Sequence, residues 1–166
     1  MQAPSEAEPA AVLDRLVADA LPHQRGLGAW RSLLRAHASL MRELATDLVT
    51  RTGLTLGDFD VLAQLALGGG ELRMTDLAAR SFSSRSGMTR RVDRLVDEGL
   101  VRRSSAGADA RSVVVALSDA GIARLRETVP VHLRRVSELF IEQLDDQELA
   151  VLERALGRVT PDCSFG

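Results

Sequence analysis

Apolar positions recur at three- and four-residue spacing through most of the chain, and this periodicity predicts a mainly helical protein. A first short helix is expected from Pro9, carried by Val12, Leu13, Leu16, Val17 and Leu21 and stopped by Pro22. A long helix is expected over about 29–51, with Trp30, Leu33, Leu34, His37, Leu40, Met41, Leu44 and Leu48 on one broad stripe and Gly53 placed to end it. Thr55 is suited to cap the next helix, with Asp58 three residues on favouring its positive end. Leu56, Phe59, Leu62, Ala63 and Leu65 to Leu67 form the apolar side, and Gly68, Gly69 and Gly70 break the helix.

In the middle of the chain the elements become short. Leu72, Arg73 and Met74 predict a brief strand, after which Thr75 caps a helix of about six residues and Phe82 and Ser83 make a turn. From Ser84 to Gly99 a helix is expected with Met88, Val92, Leu95 and Val96 on its packed face, while Arg85, Ser86, Thr89, Arg90 and Arg94 mostly fall elsewhere. Strands follow over 101–104 and 112–117, joined by the polar turn SAGADA. A helix studded with arginine and followed by a hairpin is the plan of a winged helix-turn-helix, whose helix enters a DNA groove. Ser118 then opens a long helix in which Pro130 predicts a bend, and Asp145 with Glu148 makes a capping-box-like start for the last one.

Charge sharpens this picture. The net charge is −2, which at first argues against a nucleic-acid partner, but the distribution matters more than the sum. Residues 80–111 hold eight arginines against four acids, and the remainder holds thirteen against nineteen. All 21 basic residues are arginine. The ordinary hydrophobic content of 45% and charged content of 27% predict a folded chain. Apolar runs are too short to span a bilayer, and the start carries acids where a secretory signal would carry bases, so a cytoplasmic location is expected. Cys163 is the single cysteine, which excludes an intrachain disulfide, and His23, His37 and His132 are widely separated, so no metal site is expected. The triple glycine lacks the Lys and Ser or Thr of a phosphate loop, and no nucleophile-and-base arrangement or cofactor motif is present, so neither an enzyme nor a cofactor is expected.

Over about residues 29–158 the order of elements resembles the MarR family of transcriptional regulators. The residues that carry the resemblance are LTLGDFDVLAQL at 54–65, MTDLAARSF at 74–82, SGMTRRVDRLVDEGLVRR at 86–103 and DAR at 109–111 ahead of a valine-rich strand ending in LSDAG. The resemblance implies a mainly α fold with a small β-wing: a winged helix-turn-helix domain over 54–117, flanked by dimerisation helices in 1–53 and 118–166. It further implies a homodimer that binds a near-palindromic operator in double-stranded DNA, expected to be a repressor. The family's wing often carries two successive arginines after the aspartate, whereas Ala110 stands at the first of these positions here. The helix before residue 22 lies outside the common core of the family.

Candidate reading residues follow from groove chemistry. Arginine makes bidentate contacts to guanine, and serine and threonine hydroxyls reach bases or phosphates, which singles out Arg85, Ser86, Thr89 and Arg90, with Gly87 leaving room for close approach. In the wing, Arg111 is suited to a narrow minor groove. Asp109, as the resemblance suggests, would hold an arginine in place. Arg91 points about 100° away from Arg90, and Asp60 is its candidate partner by analogy with ligand-responsive relatives. Many relatives respond to a small aromatic or phenolic effector, for which Trp30, His37, Met41 and Phe59 are candidate lining residues. From another class, a winged-helix module used for protein interaction without DNA contact is the alternative, although such a surface has no need of Arg85, Arg90 and Arg111 together.

Overall fold

The computed structural model describes residues 9–21, 25–81, 85–105 and 113–159. Their order is α1 (Pro9–Ala20), α2 (Leu27–Thr52), α3 (Leu56–Leu67), β1 (Glu71–Arg73), α4 (Met74–Arg80), α5 (Arg85–Asp97), β2 (Val101–Ser105), β3 (Val113–Leu117), α6 (Asp119–Leu139), a 3-10 turn (Ile141–Gln143) and α7 (Asp146–Gly157). Contacts divide the chain into two units, 1–41 and 42–166, with the boundary inside α2.

In the first unit no residue of α1 is buried, and Val12, Leu13 and Leu16 are exposed, as are Trp30, Leu33 and Leu34 of α2. The apolar stripe that makes these segments helical is present but uncovered. Among the described residues no helix is long and apolar enough to cross a membrane.

The second unit holds the core. Leu48 of α2, Val61, Leu62 and Leu65 of α3, Leu77 of α4, Met88, Val92 and Leu95 of α5, and Val101, Val115 and Leu117 of the strands form one buried cluster. Leu67, expected on the apolar side of α3, is exposed at the last turn, where the helix has run past the elements it packs against. The three strands pair antiparallel in the order β1-β3-β2, with Leu72 opposite Val115 and Val101 opposite Leu117. Central β3 thereby ties the segment ahead of α4 to the segment behind α5, and the helix-turn-helix is held from both ends.

Local signals account for most boundaries. Thr55 caps α3, its hydroxyl oxygen accepting from the Asp58 N–H, and Gly53, at φ +72°, ends α2. Asp145 and Glu148 form a complete capping box on α7. Helix α6 runs on through Pro130. One start differs from expectation: α4 begins at Met74, with Arg73 at the cap and no side-chain bond, while the Thr75 hydroxyl bonds Asp76 inside the first turn. Pairing of Arg73 with Val114 holds the chain extended up to that residue, so the strand rather than a hydroxyl fixes where the helix begins.

The end of α5 is welded to the start of α6. Gly99, at φ +72°, turns the chain out of α5, and its carbonyl accepts from the Ser118 hydroxyl. Ser118 N–H donates to the Leu100 carbonyl, and the Ser118 hydroxyl oxygen caps α6 by accepting from Gly121 N–H at 3.0 Å. A Cβ at Gly121 would overlap the Leu100 carbonyl oxygen, a backbone atom that cannot swing aside. Gly121→Ala is therefore expected to destabilise the protein by about 1–3 kcal/mol, the usual cost of overpacking. Urea denaturation would measure it, with Gly157→Ala, where a Cβ meets nothing within 4 Å, as the control that shows no loss of stability.

Candidate nucleic-acid interface

Helix α5 presents three sides. Its core side, Met88, Val92 and Leu95, is fully buried. The two flanks of the remaining surface are each fixed by an ion pair to another element, and the arc between them carries Arg90.

The first flank is held by Asp58 of α3, whose side chain is 5% exposed. Arg94 Nη2 donates to both carboxylate oxygens, at 2.5 and 2.6 Å, and Arg91 Nη1 donates to Oδ1 at 3.2 Å. The Thr55 hydroxyl donates to Asp58 Oδ2 at 2.6 Å. Arg91 and Arg94 are one turn apart on α5, so a single carboxylate grips adjacent rungs of one helix. The carboxylate also sits in the first turn of α3, where the helix dipole favours negative charge. Gly57 completes the arrangement, because a Cβ there would overlap the Arg91 guanidinium.

The second flank is held by Arg103 of β2, which ion-pairs with Asp93 and donates to the Thr89 carbonyl at 3.3 Å. The wing strand and the helix are thus cross-braced outside the core. Arg90 lies between the flanks, exposed and without an ion-pair partner among the described residues. Exposed Arg102 of β2 is likewise unpaired among them.

Of the candidate residues named from the sequence, Thr89 and Arg90 are exposed on α5. Arg85 and Ser86 belong to its first turn, but their side chains lie outside the described residues, as do Asp109 and Arg111 entirely. The expected partner of Arg91 is corrected: the carboxylate it meets is Asp58, not Asp60. Two residues of helix separate them by about 200°, so only one can face α5. Of the candidate effector-lining residues, Phe59 is in the core unit with its ring centroid 4.6 Å from that of His132 on α6. Trp30, His37 and Met41 are exposed on the first-unit part of α2. Among the described residues no group of three or more His, Cys, Asp or Glu could hold a metal ion.

Residues 52–112, from the end of α2 into the segment after β2, match the model of the MarR family. AbsC, a MarR family transcriptional regulator from Streptomyces coelicolor, is similar in structure with a TM-score of 0.74 and 30% identity, over 81% of this chain and 91% of that one. The chain belongs to the MarR family. Sco3205, a MarR family regulator from the same organism solved in complex with DNA, is similar with a TM-score of 0.72 and 29% identity, over 80% of this chain and 86% of that one. PecS, an HTH-type transcriptional regulator from Dickeya dadantii, is 29% identical over 75% of this chain and 76% of its own length.

As a MarR-family protein the chain is a DNA-binding transcriptional regulator and not an enzyme, and its helices with the small three-stranded antiparallel sheet have the winged-helix architecture of that family. Sequence reasoning missed three members of this site: Asp58, Arg94 and Arg103. Asp58 was visible as a helix-start residue, but a capping signal says nothing about a second helix 33 residues away. Arg103 stands in the VRR run of the family motif beside Arg102, and only the pleat, which sends adjacent side chains to opposite faces, distinguishes the one that meets Asp93.

Partial burial of His132, beside Phe59, gives this MarR-family protein a pH dependence. Burial lowers the His132 imidazole below the ordinary histidine value, and its Nδ1 is buried with no hydrogen-bond partner among the described residues. A base depressed in the folded state binds fewer protons there than when unfolded. Its contribution to stability is full above the ordinary value of about 6.5 and is lost as pH falls from there towards the folded-state value. Thermal melts at pH 7.5 and 5.5 should therefore show a smaller acid-induced fall for His132→Gln than for the parent protein.

Proposed function

We propose that this MarR-family regulator is a homodimeric repressor that reads a near-palindromic operator through paired α5 helices and wings. The observation that carries the reading is the exposed Arg90 on an arc of α5 flanked by the ion pairs of Asp58 with Arg91 and Arg94 on one side and of Asp93 with Arg103 on the other. An arginine presented in this way can make the bidentate guanine contact that supplies base discrimination, while neighbouring hydroxyls and Arg85 serve phosphate or base contacts. Arg111 of the wing reaches an adjacent minor groove, with Asp109 holding an arginine in position. The similarity to Sco3205, solved on DNA, supports this over a protein-interaction module that leaves DNA untouched.

Self-association is supported by the exposed apolar residues on helices at both ends of the chain: Val12, Leu13, Trp30 and Leu34 at one end and Leu133, Ile141 and Val151 at the other. Placing α5 helices about one DNA turn apart requires such a pairing. A small aromatic or phenolic effector acts by binding the DNA-competent and released arrangements with different affinity. The Nδ1 of His132 beside Phe59, buried and without a hydrogen-bond partner among the described residues, is a candidate contact for it. The regulator works in the cytoplasm, where its DNA lies.

Footprinting on the DNA upstream of the protein's own gene, with and without a panel of aromatic acids, tests the reading. Protection of two half-sites about one turn apart, relieved by one of the acids, is the expected result, and no protection at low salt would overturn it. Arg90→Ala and Arg111→Ala are each expected to weaken operator binding by roughly 1–3 kcal/mol in titrations at fixed salt, with a shallower salt dependence wherever the lost contact is to phosphate.

A further inference from the structure

The two guanidinium groups held by Asp58 stand beside the reading surface. Arg94 follows Arg90 by four residues, which places them on neighbouring rungs of the same side of α5. The Arg94 side chain is 48% exposed and that of Arg91 24% exposed, whereas the carboxylate between them is 5% exposed. A free arginine at either position would lie within reach of a phosphate backbone docked on α5. It would bind any sequence equally, since phosphate contacts carry no base information. In the folded protein both cations instead face one carboxylate, through three donated bonds of 2.5–3.2 Å. Gly57 reinforces this, because the lack of a Cβ leaves the space in which the Arg91 guanidinium lies.

We propose that Asp58 is a specificity-determining residue of this regulator: by holding Arg91 and Arg94 it withholds two cations from DNA phosphates while fixing the rotation of α5, so that contact is left to the base-reading residues. This rests on the DNA-reading function proposed above. Asp58 acts through the arginines and is a positioning residue. Its predicted effect has opposite signs on the two kinds of DNA. Releasing the arginines raises affinity for arbitrary sequence through added counterion release, and lowers affinity for the preferred sequence because one of the two flanking braces that orient α5 is lost. A residue that merely stabilised the fold would lower both.

The test uses the full chain, a duplex enriched by the wild-type protein from a random-sequence pool, and poly(dI-dC) as arbitrary DNA, titrated over a range of salt. Asp58→Asn keeps the shape of the side chain and removes its charge. The expected result is about a three- to tenfold gain on poly(dI-dC), a salt slope steeper by about one, and a loss on the enriched duplex that lowers the specificity ratio at least tenfold. Gly57→Ala leaves every charge in place, favours the helix, and pushes the Arg91 guanidinium off its seat, so a change of the same sign and smaller size is expected from a variant that folds at least as well. Adding Arg94→Gln to Asp58→Asn should return the slope on poly(dI-dC) towards wild type. An unchanged specificity ratio in both single variants, or a parallel loss on both duplexes, would overturn the proposal. Failure of the wild-type protein to enrich any sequence would instead overturn the DNA-reading function beneath it.

Discussion

A helix that reads bases must be fixed about its own axis, because a small rotation carries an arginine away from the edge it addresses. Met88, Val92 and Leu95, fully buried, set which face α5 turns to the core, and pairs on its flanks brake rotation further. Ion pairs with hydrogen-bond geometry are directional. In this chain the brake is applied on both flanks of α5, by Asp58 on Arg91 and Arg94 and by Arg103 on Asp93. The rest of the second unit can be understood as the support for those two grips: Thr55 and the α3 N-terminus orient the first carboxylate, and the β3-centred sheet holds the strand that supplies Arg103.

The same arrangement explains how a chain with a net charge of −2 can still serve a polyanion. Its acids are partly spent on internal partners within the basic stretch, so that arginines there divide into braced and free ones. Arg91, Arg94 and Arg103 are braced, whereas Arg90 and Arg102 are exposed without ion-pair partners among the described residues. A count of positive charge along the sequence overstates what a phosphate would meet, and the useful quantity is the set of cations left over after internal pairing.

What was legible in the sequence is what depends on near neighbours. The Thr55 cap, the Asp145–Glu148 box, the Gly53 and Gly99 terminations and the packed face of α5 all follow from residues within a few positions of one another. The helix-turn-helix with its hairpin followed from the same local signals, reinforced by the family motif. The misassignments have one physical cause, a dependence on distant partners. Choosing Asp60 over Asp58 required the angle at which α3 meets α5, and placing the start of α4 at Thr75 ignored the pairing of Arg73 with Val114 on a strand some forty residues later. Leu67 has the right character for a core position and lies beyond the reach of the core.

The glycine junction between α5 and α6 has a mechanical consequence. Helix α6 has 21 residues, runs through Pro130 and is about 30 Å long, with its near end seated on Leu100 and Gly99 by Ser118 and Gly121. It forms a lever arm with its fulcrum at the foot of α5. A tilt of one degree at that fulcrum displaces the far end by about half an ångström. Conversely, anything that moves the distal end by an ångström or two turns the foot of α5 by only a few degrees. The missing side chain at Gly121 is what keeps the bearing tight enough for so small an angle to be passed on rather than absorbed as play.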